Sequence, residues 1–350
     1  MLVVGSRRIG KTSLLMETSR RLKKTGTTVY FVSLQDLQKA QEVANSILRT
    51  VSPREMHTAL RRHIGLDETF LGSVLRTVGR TEKKPTLVLD EIGNVIDNNR
   101  QDDWRIMGLI REQAHAGRLQ IIMSAFQEVF LKQFQNSSGP FMNLTDTLRL
   151  GVFSDQDIHD LLIEPLKMWA HISDEDQFVR LVVTRVGRQP YLLQHLGRAI
   201  FAKVFTREAR DVLRVLESFL EDDFVEAFDT PVDEVFFRLR SAAQRYVFLK
   251  RCVDAITSGD LVTAVEISDA WVKSTLESCG FDSTFDGRTF LMQGLELAGH
   301  VEAVGSSRTR YRIITPIVWG VIAKSETDCD ALLAAFRDDI KLETAALMLR

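Results

Sequence analysis

The chain has 350 residues, 45% hydrophobic and 26% charged, enough for two or three globular domains with sizeable cores. Its formal net charge of -2 excludes the strongly basic balance of a general nucleic-acid or membrane-surface binder. Three scattered cysteines without a CxxC pair, and histidines without ligand spacing, argue against a disulfide framework or a zinc site.

The first predicted strand is Leu2-Val3-Val4. It runs into Gly5-Ser6-Arg7-Arg8-Ile9-Gly10-Lys11-Thr12-Ser13, which fits G-x-x-x-x-G-K-[ST], the phosphate-binding loop of nucleoside triphosphatases. Gly5 and Gly10 let the backbone wrap an anion with N–H groups turned inward. Lys11 is placed to reach the β- and γ-phosphates, and the Thr12 hydroxyl to ligate magnesium. A helix over Thr12–Leu22 points its positive end at the same phosphates and stops at Lys23, Lys24 and Gly26.

Val29–Val32 reads as the second strand, and Leu37–Leu48 and Phe70–Val78 as helices, with a further helix opening at Pro53. Thr86–Leu89 is a buried strand ending in Asp90-Glu91. Two carboxylates at such a strand end suit a second nucleotide motif: Asp90 holds the magnesium shell, and Glu91 polarises the water that attacks the γ-phosphate. Leu119–Ser124 is the next strand, with Ser124 at its end within reach of phosphate or water. Gln135–Pro140 is a loop, and Thr147–Leu150 a fifth strand. Strands alternating with helices give a parallel sheet with ligand at the C-terminal strand ends.

Helical patterns follow. One starts at Ser154-x-x-Asp157 and is broken by Pro165; a second starts at Ser173-x-x-Asp176 and stops at Gly187; a third opens at Pro190; a fourth spans Thr206–Phe224. The loop Gly5–Ser13, the strand Leu87–Glu91 and the segment Gly187–Gln194 together resemble the AAA-related ATPases of the archaeal ATPase and STAND group. The resemblance implies ATP as the nucleotide and a helical lid whose Gly-x-x-Pro turn approaches it. Gly187 and Pro190 are the matching positions, with Gln189 beside them. Relatives usually carry an upstream segment with a Gly-Arg pair around the base. Here the chain begins four residues before the loop, so either its start is incomplete or base binding is weakened. None of Arg7, Arg8, Arg118 and Arg149 stands out as a transition-state finger.

Beyond Pro231, helical patterns over Val235–Leu249, Thr263–Cys279 and Phe290–Leu297 precede a hairpin, His300–Val304 with Tyr311–Ile314. Three helices and a hairpin make a winged-helix arrangement. Arg308, Arg310 and Arg312 alternate on one wing face, but acids outnumber bases in the module, so docking on protein is favoured over DNA. Ser325–Arg350 reads as a helical tail with Leu332, Leu333, Phe336 and Ile340 on one side, suited to intramolecular packing or self-association.

The expected architecture is therefore α/β: a P-loop core over 1–151, a lid over 152–228, a winged helix over 229–324 and a tail over 325–350. The expected function is magnesium-dependent ATP hydrolysis driving a switch of lid and winged helix. The rival is a nucleotide-binding, non-hydrolysing interaction or DNA-tethering module. With neither a spanning apolar run nor a signal peptide in the sequence, a cytoplasmic protein is expected.

Overall fold

The computed structural model describes residues 1–35, 37, 39–51, 68–80, 84–93, 95, 105–126, 146–206, 211–221, 227–228, 240–305, less 259–265, then 307–314 and 316–324. The expectations at Pro53, Gln135–Pro140, Pro231 and the tail lie outside these residues. The chain divides into two compact units, Met1–Ser6 with Gly10–Leu150, and Arg7–Ile9 with Gly151–Arg350.

The first unit holds a five-stranded parallel sheet. Its strands are β1 (Leu2–Gly5), β2 (Val29–Ser33), β3 (Thr86–Asp90), β4 (Gln120–Phe126) and β5 (Thr147–Arg149), in the order β2-β3-β4-β1-β5. β1 and β3 are buried along their whole length, which is why they read as unbroken apolar runs rather than alternating ones. The helices are α1 (Lys11–Lys24), α2 (Ala40–Thr50), α3 (Glu68–Val78) and α4 (Arg105–His115). Leu15 of α1 packs with Val3, Val29 and Val88 of the sheet. α1 ends with Arg21, Lys23 and Lys24 in its last turn and Gly26 at a φ of 81° beyond it. β4 continues two residues past Ser124, so that serine is inside the strand and not at its end.

The second unit begins with α5 (Asp155–Ile158), capped by Ser154 and Asp157 reciprocally. Pro165 does not break this helix. A π-helical turn, His159–Ile163, carries the chain into α6 (Glu164–Lys167), where Pro165 sits in the first turn and its missing N–H is not needed. Then come α7 (Glu175–Arg185), α8 (Pro190–Phe205) and α9 (Val212–Glu221). The cap of α7 is Asp174, one residue from the expected Ser173; its carboxylate accepts the Gln177 N–H.

The remainder runs α10 (Arg240–Ser258), β6 (Ile267–Ser268), α11 (Asp269–Ser278), α12 (Phe285–Leu297), β7 (Val301–Ala303), β8 (Arg310–Ile313) and α13 (Pro316–Lys324). β7 and β8 form the expected hairpin, and β6 adds a third antiparallel strand in the order β6-β8-β7. The start of the helix expected from Thr263 lies outside the described residues; within its expected span Ile267 and Ser268 are strand, and Ser268 caps α11. Helix, strand, two helices and a hairpin is the winged-helix order. Phe178, Leu196 and Leu216 of the first helices and Phe248, Leu276, Leu295 and Ile322 of the winged part belong to one continuous core. No helix among the described residues is long and apolar enough to cross a membrane.

Candidate nucleotide site

The site is built where β1 turns into α1. Gly10 caps the helix at a φ of 100°, a conformation open to glycine and strained for any side chain. No side chain caps α1 and no acidic residue lies in its first turn, so its leading N–H groups and positive end are left for an anion. Arg8 is also left-handed, at a φ of 59°. Ser6 is buried, and its Oγ has no hydrogen-bond partner among the described residues. An orphaned hydroxyl beside uncapped amides fits an anion that brings its own acceptor oxygens.

Lys11 is buried at the first position of α1. Its ammonium donates to the carbonyls of Gly5 at 3.1 Å and Ser6 at 2.7 Å, and lies 4.4 Å from the centre of the Phe126 ring. Phe126 did not figure in the sequence reading. It is the register partner of Gly5 across β1 and β4, so the pairing of those strands places an aromatic face under the lysine.

The second half of the site comes from β3. Asp90 is buried and accepts from the Thr12 hydroxyl at 2.8 Å and from the Ser124 hydroxyl. Ser124, fully buried, also accepts the Glu91 N–H at 2.9 Å. Glu91 sits at a φ of 57°, an uncommon conformation for a residue with a side chain, and its N–H is taken up by that bond. Strand order explains the triad: β4 lies between β1 and β3, so its serine stands between the loop strand and the acidic pair. The structure thus brings Lys11, Thr12, Asp90, Glu91 and Ser124 together and assigns Ser124 to the carboxylate and the amide.

A hydroxyl and a carboxylate 2.8 Å apart are hard oxygen donors that suit magnesium, which keeps several waters and phosphate oxygens of its own. Among the described residues no group of three or more His, Cys, Asp or Glu side chains is placed to hold a metal without such help.

The other expected residues lie in the second unit. Arg7, Arg8 and Ile9 group with it, and there the Arg8 guanidinium lies 5.0 Å from the Tyr191 ring centre. Gly187, at a φ of 97°, ends α7. Gln189 is fully buried; its Oε1 caps α8 by accepting the Leu192 N–H at 2.9 Å, and its Nε2 has no partner among the described residues. Pro190 occupies the first position of α8. Arg188 ties the turn to the start of the unit through the Phe153 carbonyl at 3.1 Å and the Asp155 carboxylate.

No protein-family model and no curated protein matches the sequence. Solved structures do match. A Walker-type ATPase of Pyrococcus abyssi superposes over 92% of this chain and 90% of its own, at a TM-score of 0.58 and 14% identity. Cdc6p of Pyrobaculum aerophilum covers 97% and 88%, at 0.43 and 15%. The ORC2 protein of Aeropyrum pernix, in its ADP form, covers 98% and 88%, at 0.46 and 11%. At such identities the likeness concerns architecture, and the first of the three carries it. The chain shares its fold with that Walker-type ATPase.

Proposed function

We propose that the chain binds ATP with magnesium and hydrolyses it to ADP and phosphate. The observation that carries this reading is the joining of Thr12, Asp90, Ser124 and Glu91 by hydrogen bonds beside the buried Lys11. In it, the amides of the loop from Gly5 to Ser13 cradle the phosphates. Lys11 exchanges the Gly5 and Ser6 carbonyls for β- and γ-phosphate oxygens. Thr12 and Asp90 hold magnesium, which when bound supplies charge neutralisation on those phosphates. Glu91 orients the attacking water and accepts its proton, and Ser124 positions both carboxylate-bearing residues. Gln189 and Pro190 are the lid positions proposed to answer to the nucleotide. The shared core of lid and winged helix supports a switch in which those two parts move together.

The test is ATP binding and phosphate release on the purified chain. Lys11→Ala is expected to lose ATP affinity, and Glu91→Gln to keep it while losing phosphate release. Wild-type affinity in Lys11→Ala overturns the proposal. Binding without release from the wild type, with or without DNA, favours the non-hydrolysing module instead. One observation weighs against DNA tethering by the wing: Arg308, Arg310 and Arg312 lie 3.8, 3.1 and 3.3 Å from Glu296, Glu266 and Glu302.

A further inference from the structure

The second unit carries an aromatic surface that no part of the nucleotide site uses. Trp169, just after α6, and Phe201 and Phe205 of α8 form a triangle of rings with centroids 5.8, 6.0 and 5.8 Å apart. These rings pack on one another and still face solvent: Trp169 is 58% exposed, Phe201 37% and Phe205 62%, and neighbouring Met168 is 75% exposed. Three aromatic side chains in one exposed cluster, with exposed Met168 next to Trp169 in the chain, mark a docking surface rather than the scattered exposure of an ordinary monomer.

On α8 the charge beside the cluster is one-sided. α8 carries Arg198 and Lys203 and no acid. Arg198, Phe201, Ala202 and Phe205 follow helical spacing and are all exposed, so a cation borders the rings on the same stripe. Among the described residues Arg198 makes no ion pair.

The chain itself contains a segment of complementary chemistry. Beyond Lys324, Leu332, Leu333, Phe336 and Ile340 recur at helical spacing, flanked by Glu326, Asp328, Asp330, Asp338 and Asp339. It departs from α13, in the same unit as the cluster. Residues 325–350 span about 40 Å even as a helix at ~1.5 Å per residue. Tethering gives such a segment an effective concentration of roughly millimolar, far above that of a second copy in dilute solution.

We infer that the segment 325–340 docks in cis on the Trp169–Phe201–Phe205 surface, its apolar stripe on the rings and its carboxylates toward Arg198. The native Cys329 supplies the probe. In full-length Ala202→Cys and, separately, Arg198→Cys, mild oxidation is expected to give a disulfide within one chain, read as a faster band on a non-reducing gel. Adding Cys329→Ser should abolish it, and adding Phe336→Asp should slow its formation at least tenfold. Leu333→Asp gives the same reading if Phe336→Asp disturbs the fold. The inference is overturned if neither cysteine pairs with Cys329, if the bond forms only between chains, or if both Phe336→Asp and Leu333→Asp, with their folds intact, form it as fast as their parent. A bond only between chains identifies the occupant as a second copy.

Discussion

Replacing Ser124 by alanine separates two jobs that one hydroxyl performs. The Ser124 O–H donates to the Asp90 carboxylate, and its oxygen accepts the Glu91 N–H at 2.9 Å. A hydrogen bond to a charged partner contributes about 1.5–3 kcal/mol, and a buried amide left without its acceptor costs about 1–3 kcal/mol. Asp90 keeps its bond from Thr12 and Glu91 is only half-buried, so the lower ends apply and the sum is about 2.5 kcal/mol. The loss falls on the first unit, where native-state hydrogen exchange of the Leu87–Asp90 amides should quicken by roughly 100-fold. Losing the acceptor of its N–H should loosen the left-handed backbone of Glu91, so ATP turnover should drop about tenfold or more while ATP affinity stays within about threefold. Exchange within threefold of wild type, or undiminished turnover, would refute the assignment of Ser124 as the positioning residue.

Other outcomes follow from the second unit. Burial, reinforced by the Arg245 charge, pushes fully buried His300 down to about 3. The unfolded histidine titrates near ~6.5, so between those values only the unfolded chain binds the proton; stability present above ~6.5 falls as pH drops toward 3. About 2 kcal/mol should be lost between pH 7 and 5 at ~1.36 kcal/mol per pH unit, and urea unfolding of His300→Gln should show that much less pH dependence. Gly299→Ala combines a φ of 79° with a new Cβ 2.3 Å from a Val152 methyl, so it should destabilise by about 2 kcal/mol or more; Val152→Ala should restore part of that in the same unfolding assay. Arg288 donates twice to Asp269, at 2.9 and 3.1 Å, and once to the Ser283 carbonyl at 2.6 Å. Arg288→Ala should cost about 2 kcal/mol of unfolding free energy, and Arg288→Lys should recover less than half, because an ammonium cannot reproduce the fork.

The parallel sheet was readable because β1 and β3 are buried on both faces and must be apolar throughout, and because glycines and a lysine announce the loop. Strand order was not readable, since nothing local to β4 says that it inserts between β1 and β3. Ser124 therefore looked like a strand-end residue free to meet phosphate, when its hydroxyl is already committed to Asp90 and the Glu91 amide. Phe126 escaped notice for the same reason: only the pairing with Gly5 brings it under Lys11. Pro165 misled because proline usually ends a helix, whereas a π turn upstream lets it open the next helical segment. β6 is two residues long, too short to show a period, and was absorbed into the helix after it. The wing arginines did alternate as read, but their glutamates lie on other elements and neighbouring strands, invisible along the chain.

The continuous interior of the second unit bears on how this molecule can be dissected. Val182, Leu193 and Leu216 touch the same oily mass as Phe248, Leu291 and Val318, so a scissor cut near residue 228 would leave two fragments, each with a raw greasy flank. Neither piece should be obtainable as a well-behaved soluble fragment, and any gene fusion or recombination that preserves the architecture has to inherit Gly151 through Lys324 as one cassette.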